Sequence, residues 1–335
     1  MAGRRTNLAL LSALLLAFLT GVLAFAAGTG WGVPVVVAHG VAGLCLLVLA
    51  PWKSVVARRG LARRARGAWP SIAFTLLVVA SLVFGIVHSL GLAPGLSFLT
   101  PMQVHVGAAL LALPFALHHL WYRRVPPRRT DLSRRNLVRG LGVVGGGALL
   151  YLFFESVARL ADLPGARRRF TGSHEEGSFD PDRMPVTQWL NDQVPLIDAE
   201  RWVLKVRSGG QRRDWTYDEL VEHQAEVIAT LDCTGGWFAT QEWTGVPLSR
   251  LLPPTVSGRS VSVESTTGYA RRFPVGDLET LFLATGIAGS PLSPGHGYPV
   301  RLVAPGRRGF WWVKWVDSVV VDDRPWWLQL PFPAE

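Results

Sequence analysis

The sequence predicts a protein in two parts: an N-terminal all-α bundle of about five transmembrane spans, followed by a mixed α+β, mostly β, domain. Three observations carry this. Hydrophobic residues make up 49% of the 335 positions. They concentrate in five apolar runs of about twenty residues before position 160, each long enough to cross about 30 Å of hydrocarbon. After position 170 the pattern changes to short β-branched segments separated by Gly and Pro.

The runs fall at 7–27, 34–52, 70–92, 102–122 and 137–157; the fifth is glycine-rich and contains Arg139. Basic residues orient them. Arg4 and Arg5 precede the first span, six Lys or Arg lie in 53–66, and seven lie in 123–139. The positive-inside rule makes these segments cytoplasmic, so the loops at 28–33 and 93–101, and everything after the fifth span, face outward. The expected location is a bacterial cell (inner) membrane, with the chain multi-pass and its C-terminal domain on the periplasmic or extracellular side. The net charge of +10 resides largely in these membrane-flanking segments, so lipid, not nucleic acid, is the expected partner.

Residues 130–140, with Ser133, Arg134 and Arg135 ahead of an apolar run, resemble a twin-arginine export signal; a basic flank of a fifth helix accounts for them equally well. No small-residue cleavage site follows Leu150, so the segment is expected to remain as an anchor. The expected division is 1–125 for the four-helix membrane domain, 126–169 for the signal-like segment, fifth span and linker, and 170–335 for the outer domain.

Five of the eight histidines lie in the spans, where an ionisable group is costly and reads as functional by default. His39 and His105 open the second and fourth spans within similar segments, Val-Ala-His-Gly-Val-Ala-Gly-Leu and Gln-Val-His-Val-Gly-Ala-Ala-Leu. Fourteen residues on stand Lys53 and His119. Fourteen helical steps return to nearly the same face about 21 Å away, one position per leaflet. This spacing resembles the b-type cytochromes of quinone-linked membrane oxidoreductases. The resemblance implies an outer haem b on His39 and His105, with His88 at the same depth as the rival ligand. It also implies an inner haem site at His119, facing Lys53 where such bundles carry a second His. His118 is interfacial, like His119, and both can snorkel.

In the outer domain, strands are predicted at 202–207, 227–231, 260–264, 300–304 and 313–321, with a helix at 217–223. The motif of interest is Thr230-Leu-Asp-Cys233-Thr-Gly-Gly-Trp237. Cys233 is the one cysteine outside the apolar half of the chain, so it has no disulfide partner within its own domain. It reads as a ligand or nucleophile, or as a small buried core residue. Farther on, Ser293-Pro-Gly-His296-Gly-Tyr-Pro-Val-Arg301 and Gly309-Phe-Trp-Trp312-Val313-Lys314 set a His, an Arg and a Lys among turn residues. Such a set suits an anionic cofactor.

These residues resemble the molybdopterin-binding domain of the sulfite oxidase fold, in particular the periplasmic methionine sulfoxide reductase catalytic subunit, from about residue 170 onward. The resemblance implies Cys233 as molybdenum ligand. It implies a pterin and phosphate contact at His296 and Arg301, a second at the turn holding Trp312, Val313 and Lys314, and further contacts at Thr171, His174 and Glu175, where His replaces the family's aromatic. Thr266 and Thr267 contact the pterin again, and Arg271 and Arg272 reach toward substrate; a solvated charge pair is the other reading of these arginines. The cofactors implied are molybdenum–molybdopterin and haem b, and the reaction is oxygen-atom transfer at molybdenum. The Cys-Thr-Gly-Gly-Trp loop and Gly245-Val-Pro-Leu248 look closer to the reductase branch, which implies reduction of a small sulfoxide, including methionine sulfoxide in proteins, with electrons from quinol through haem. The alternatives are a sulfite oxidase or dehydrogenase passing electrons to quinone, and a non-enzymatic membrane electron carrier.

Overall fold

The computed structural model describes residues 2–63, 68–92, 99–122, 125–126, 128–189, 192–254 and 256–330. Parts of the basic segments at 53–66 and 123–139, and of the loop at 93–101, lie outside them. The chain divides into two compact units, Met1–His174 and Glu175–Glu335.

The first unit contains α1 (Ala2–Ala26), α2 (Gly32–Arg63), α3 (Trp69–Leu90), α4 (Pro101–Tyr122) and α5 (Arg134–Leu160). All five are long and apolar enough to cross a membrane. Large side chains such as Leu19, Leu76, Leu111 and Leu149 point outward and are more than half exposed, the arrangement of a bundle solvated by lipid. Packing is pairwise, α1 on α2, α3 on α4 and α5 on α2. The helices overrun the expected apolar runs because basic flanks continue the turns: α2 extends through Arg63 and α5 begins at Arg134. The fifth span also carries a single acid, Glu155.

At the boundary between the units is a two-residue strand, β1 (His174–Glu175). The second unit then contains β2 (Val203–Ser208), β3 (Gln211–Thr216), α6 (Tyr217–Glu222), β4 (Ala225–Asp232), β5 (Trp237–Pro247), β6 (Ser260–Ser265), β7 (Ala270–Pro274), β8 (Phe282–Ile287), β9 (Ser290–Pro291), β10 (Arg301–Val303) and β11 (Val316–Asp322). One sheet runs β4-β5-β8-β10, antiparallel throughout, with β9 on β8. The other runs β3-β2-β11-β6-β7, where only β11 and β2 are parallel. Leu204, Val261, Val263, Phe273, Leu283, Leu302 and Val319 are fully buried in one continuous core.

Each expected strand is present within a few residues of its predicted limits, and α6 starts where Thr216 and Glu219 form a capping box. The expected strand at 313–321 starts later, at Val316, because Trp315 has φ of 52° and breaks the extended chain. Six strands were not predicted, among them the two-residue β1 and β9. β3 is polar or charged at its first four positions and exposed there, so it shows no alternation. β8 is buried at all six positions, β5 runs through two threonines and a glycine, and β7 holds the arginine pair.

Candidate molybdenum and haem sites

Cys233 follows the last residue of β4, where the β4–β5 turn closes through Cys233 N–H donating to the Trp237 carbonyl at 2.8 Å. The thiol is half-buried, and the Gly235 N–H points at Sγ from 3.3 Å. Thr187 Oγ1 lies 3.5 Å from the same sulfur. Behind the loop, Asp232 and Arg308 form an ion pair with both side chains almost completely buried, and Arg308 Nη2 also donates to the Cys233 carbonyl at 3.3 Å. The loop is thus fixed at its backbone while its sulfur stays partly accessible.

Two cations lie beside this loop, Lys314 joined to it through Thr187. Arg301, on β10, is fully buried between the Trp243 and Trp312 rings, 5.0 and 5.6 Å from their centroids. Its Nη1 donates to the His296 carbonyl at 3.0 Å, and its Nε has no hydrogen-bond partner. Lys314 Nζ donates to the carbonyls of Gly295 at 2.6 Å and Thr187 at 2.8 Å. Burial pushes the Arg301 guanidinium down to about 9, partly offset by Cys233. Burial, then the charge of Arg301, pushes Lys314 down to about 7, against the opposing pull of Cys233 and Asp192. Both shifts report positive charge that carbonyls, not carboxylates, receive. His296 is pushed down to about 4, first by burial and then by Arg301, so at neutral pH its ring is uncharged. Ser293 Oγ at Nδ1, 3.0 Å, and the Met184 carbonyl at Nε2, 3.2 Å, hold it in place.

The remaining expected residues fall in three places. Thr267 Oγ1 donates to Asp192 Oδ2 at 3.3 Å and so shares a neighbour with Lys314, while the Thr266 N–H bonds the Trp315 carbonyl. Trp312 walls Arg301, and Val313 is core, its carbonyl accepting from Leu302 N–H at 2.7 Å. Arg271 and Arg272 share none of these partners. Arg271 is buried against the Trp311 ring, 4.1 Å from its centroid, and burial lowers it to about 10. Arg272 is paired with Asp322 on the opposite face of β7, so neither is the solvated pair that the charge pattern suggested. Glu175 Oε1 accepts from the Ser178 N–H at 2.7 Å and fixes the first turn of the unit. Sequence reasoning missed Thr187, Asp192 and the Asp232–Arg308 pair. The acid directly before Cys233 was a signal for the last of these; Thr187 gave none.

In the first unit, Thr171 Oγ1 bonds Ser173 Oγ at 3.3 Å, and His174 Nε2 bonds the His88 carbonyl at 2.8 Å. His88 Nε2 in turn meets the Gly172 carbonyl at 2.8 Å, and the two rings stand edge to face at 4.8 Å. His39 and His105 face each other across α2 and α4, ring centroids 5.7 Å apart and nearly perpendicular. His39 Nδ1 bonds the Ala17 carbonyl of α1 at 2.8 Å, and His105 Nδ1 bonds the Ser81 carbonyl of α3 at 2.7 Å. Both rings therefore spend Nδ1 on backbone, which makes that nitrogen the donor and leaves Nε2 as the basic one, the second-shell pattern of a metal-ligating imidazole. Each ring lies over a glycine: a Cβ on Gly21 would come 3.0 Å from the His39 ring, and one on Gly85 2.9 Å from that of His105. Deeper in the bundle, His119 Nδ1 meets Ser71 Oγ at 3.0 Å, and Lys53 Nζ donates to Asn7 Oδ1 at 3.1 Å. His118 stacks on Tyr122, with centroids 4.5 Å apart.

The set around Cys233 fits the cofactor its residues imply. A half-buried sulfur is a soft metal ligand, and two buried cations, one with an unmet N–H, suit an anionic pterin phosphate beside it. Residues 191–327 match the family described as oxidoreductase molybdopterin binding domain. Among solved structures the chain is similar to the sulfane dehydrogenase SoxCD from Paracoccus pantotrophus, with 25% identity, coverage of 39% of this chain and 40% of that chain, and a TM-score of 0.37. The chain thus spans less than half the length of that relative. The matched residues lie within the second unit and include Cys233, His296, Arg301 and Lys314, and five membrane-length helices precede them in the chain.

Proposed function

We propose that this protein is a membrane-anchored sulfoxide reductase of the sulfite oxidase fold, working on the outer face of the cell membrane with electrons drawn from quinol through haem b. The observation that carries the reading is the seat of Cys233: Gly235 N–H and Thr187 Oγ1 meet its sulfur, Lys314 bonds the carbonyls of Thr187 and Gly295, and Arg301 bonds that of His296. Cys233 holds the metal as thiolate; Gly235 N–H and Thr187 orient its sulfur. Arg301, Lys314 and the neutral His296 hold the pterin and its phosphate, with Thr266 and Thr267 beside Lys314 and the Trp243 and Trp312 rings excluding water. His39 and His105 hold the outer haem, and their Nδ1 bonds to Ala17 and Ser81 fix the tautomer that presents Nε2 to iron. Bound in these places, the molybdenum cofactor supplies two-electron oxygen-atom exchange with a sulfur centre, and the haem supplies single-electron transfer.

A twin-arginine route at Arg134 and Arg135 fits a domain that must be loaded before export. The inner haem is the weaker expectation, since the position facing His119 is Lys53, already bonded to Asn7.

The test uses detergent-purified protein with molybdenum and haem quantified. The haem is reduced with a quinol analogue and methionine sulfoxide is added; sulfite is added separately to the oxidised protein. Haem reoxidation by the sulfoxide supports the reductase reading. Haem reduction by sulfite reverses the direction, and protein without molybdenum, made in a cofactor-competent host, overturns the enzyme.

A further inference from the structure

Glu155 is the one acidic residue in the five membrane-length helices. It stands five residues before the outer end of α5, about 7 Å along the axis, at the depth of the hydrocarbon boundary. Arg168, from the segment following α5, pairs with it, and their side chains keep 15% and 21% exposure for Arg168 and Glu155. One turn deeper, Tyr151 is within hydrogen-bonding reach of both. Its ring lies directly on the backbone of α2 at Gly40, where a Cβ would come 2.8 Å from the ring edge. Gly40 is the residue after His39. A carboxylate, a phenol and a guanidinium are thus gathered at the lipid boundary, beside the backbone of a residue we assign to iron.

We infer that Tyr151 and Glu155 form the head-group site for a membrane quinol that reduces the haem. The inference rests on the haem and quinol parts of the function proposed above. An intramembrane carboxylate is costly and marks a proton-exchange site by default. A quinol needs such a group: its oxidation to quinone releases two electrons and two protons. Its hydroxyl donates a hydrogen bond to a Glu155 carboxylate oxygen, and the Tyr151 hydroxyl donates to a quinol oxygen. The haem that His39 and His105 would hold would supply the single-electron acceptor. The first proton goes to Glu155, which releases it outward past Arg168; the second follows by the same route once the carboxylate is restored. Arg168 pairs with the Glu155 carboxylate and marks the outward side of the site.

The experiment compares wild-type holoprotein in nanodiscs with Glu155→Gln and Tyr151→Phe. Haem content, thermal midpoint and haem reduction by dithionite are recorded first. Quinol-driven haem reduction and binding of a redox-inert quinone analogue are then measured. Both variants are expected to keep the haem band and dithionite reduction, to raise the quinol KM about tenfold, the effect of one buried hydrogen bond, and to bind the analogue correspondingly more weakly. Glu155→Gln also lowers the maximal rate. Folded variants with unchanged KM and analogue binding overturn this site alone, because wild-type reduction by quinol stands. A wild-type protein without haem, or not reduced by quinol, overturns the underlying reading and this inference with it. If Glu155→Gln does not fold, Tyr151→Phe decides, since its ring keeps the contact with Gly40.

Discussion

Asp232, immediately before Cys233, forms a buried ion pair with Arg308, which also reaches the Cys233 carbonyl. The pair fixes the loop of the proposed molybdenum ligand from behind while leaving its sulfur partly accessible. Removing one partner leaves the other charge buried and uncompensated. Asp232→Asn is expected to cost about 3–5 kcal/mol of stability, read as a lower denaturant midpoint of the isolated protein, together with reduced molybdenum content.

Cys233→Ser keeps the loop hydrogen bonds but replaces the soft sulfur. The variant is expected to fold with an unchanged haem band while losing sulfoxide turnover by several orders of magnitude. Molybdenum analysis with activity checks it; full turnover would falsify the ligand assignment.

Gly297 has φ of 111°, and a Cβ there would come 2.9 Å from Arg301 Cβ and 3.3 Å from Lys314 Cβ. Gly297→Ala therefore meets both a backbone penalty of about 1–3 kcal/mol and a clash with the stems of the two cations. We expect weaker pterin retention, measured as molybdenum lost on dialysis, beyond what the stability loss alone produces.

Lys314 is pushed down to about 7 by burial and by Arg301. In cofactor-free protein the unfolded lysine holds its proton up to its ordinary range near 10, so the unfolded state binds more protons between about pH 7 and 10. Stability should therefore rise with pH through that window and level off below about 7, where both states carry the proton. An anion at the site restores the proton, so the holoprotein should lose this rise. Thermal melts of the two forms from pH 6 to 9 check the sign, and Lys314→Met should flatten the cofactor-free profile.

Gly85→Ala would bring a Cβ 2.9 Å from His105 Nδ1, in place of an open contact. The His105 ring must then leave the Ser81 carbonyl. Haem affinity is expected to fall on the order of 10- to 100-fold, the usual effect of a lost second-shell bond, seen as a smaller b-type absorbance band after size exclusion. His88→Ala should leave the band, since the His88 Nε2 already serves the Gly172 carbonyl.

Much of this architecture is written locally. Span number follows from the length of apolar runs, because hydrocarbon demands about twenty residues whatever their neighbours do. The Cys, His, Arg and Lys motifs are legible because each sits in a turn that its own Gly and Pro residues build. β3 and β8 were not legible, since one opens with four exposed polar or charged residues and the other is fully buried, and neither alternates. Thr187 was invisible for a different reason: it acts through a carbonyl and a hydroxyl placed by a loop 46 residues from Cys233.

The sequence by itself determined the five apolar runs of membrane length, the change to a β-rich domain, the one cysteine of that domain and the identity of its cations. Only the tertiary structure decided where those cations go. Arg301 and Lys314 bond the carbonyls of His296, Gly295 and Thr187 beside the Cys233 loop, while Arg271 turns to Trp311 and Arg272 to Asp322. A charge in a sequence carries no address: desolvation and partner geometry, set by strands distant along the chain, determine whether it serves a cofactor, a ring or another charge.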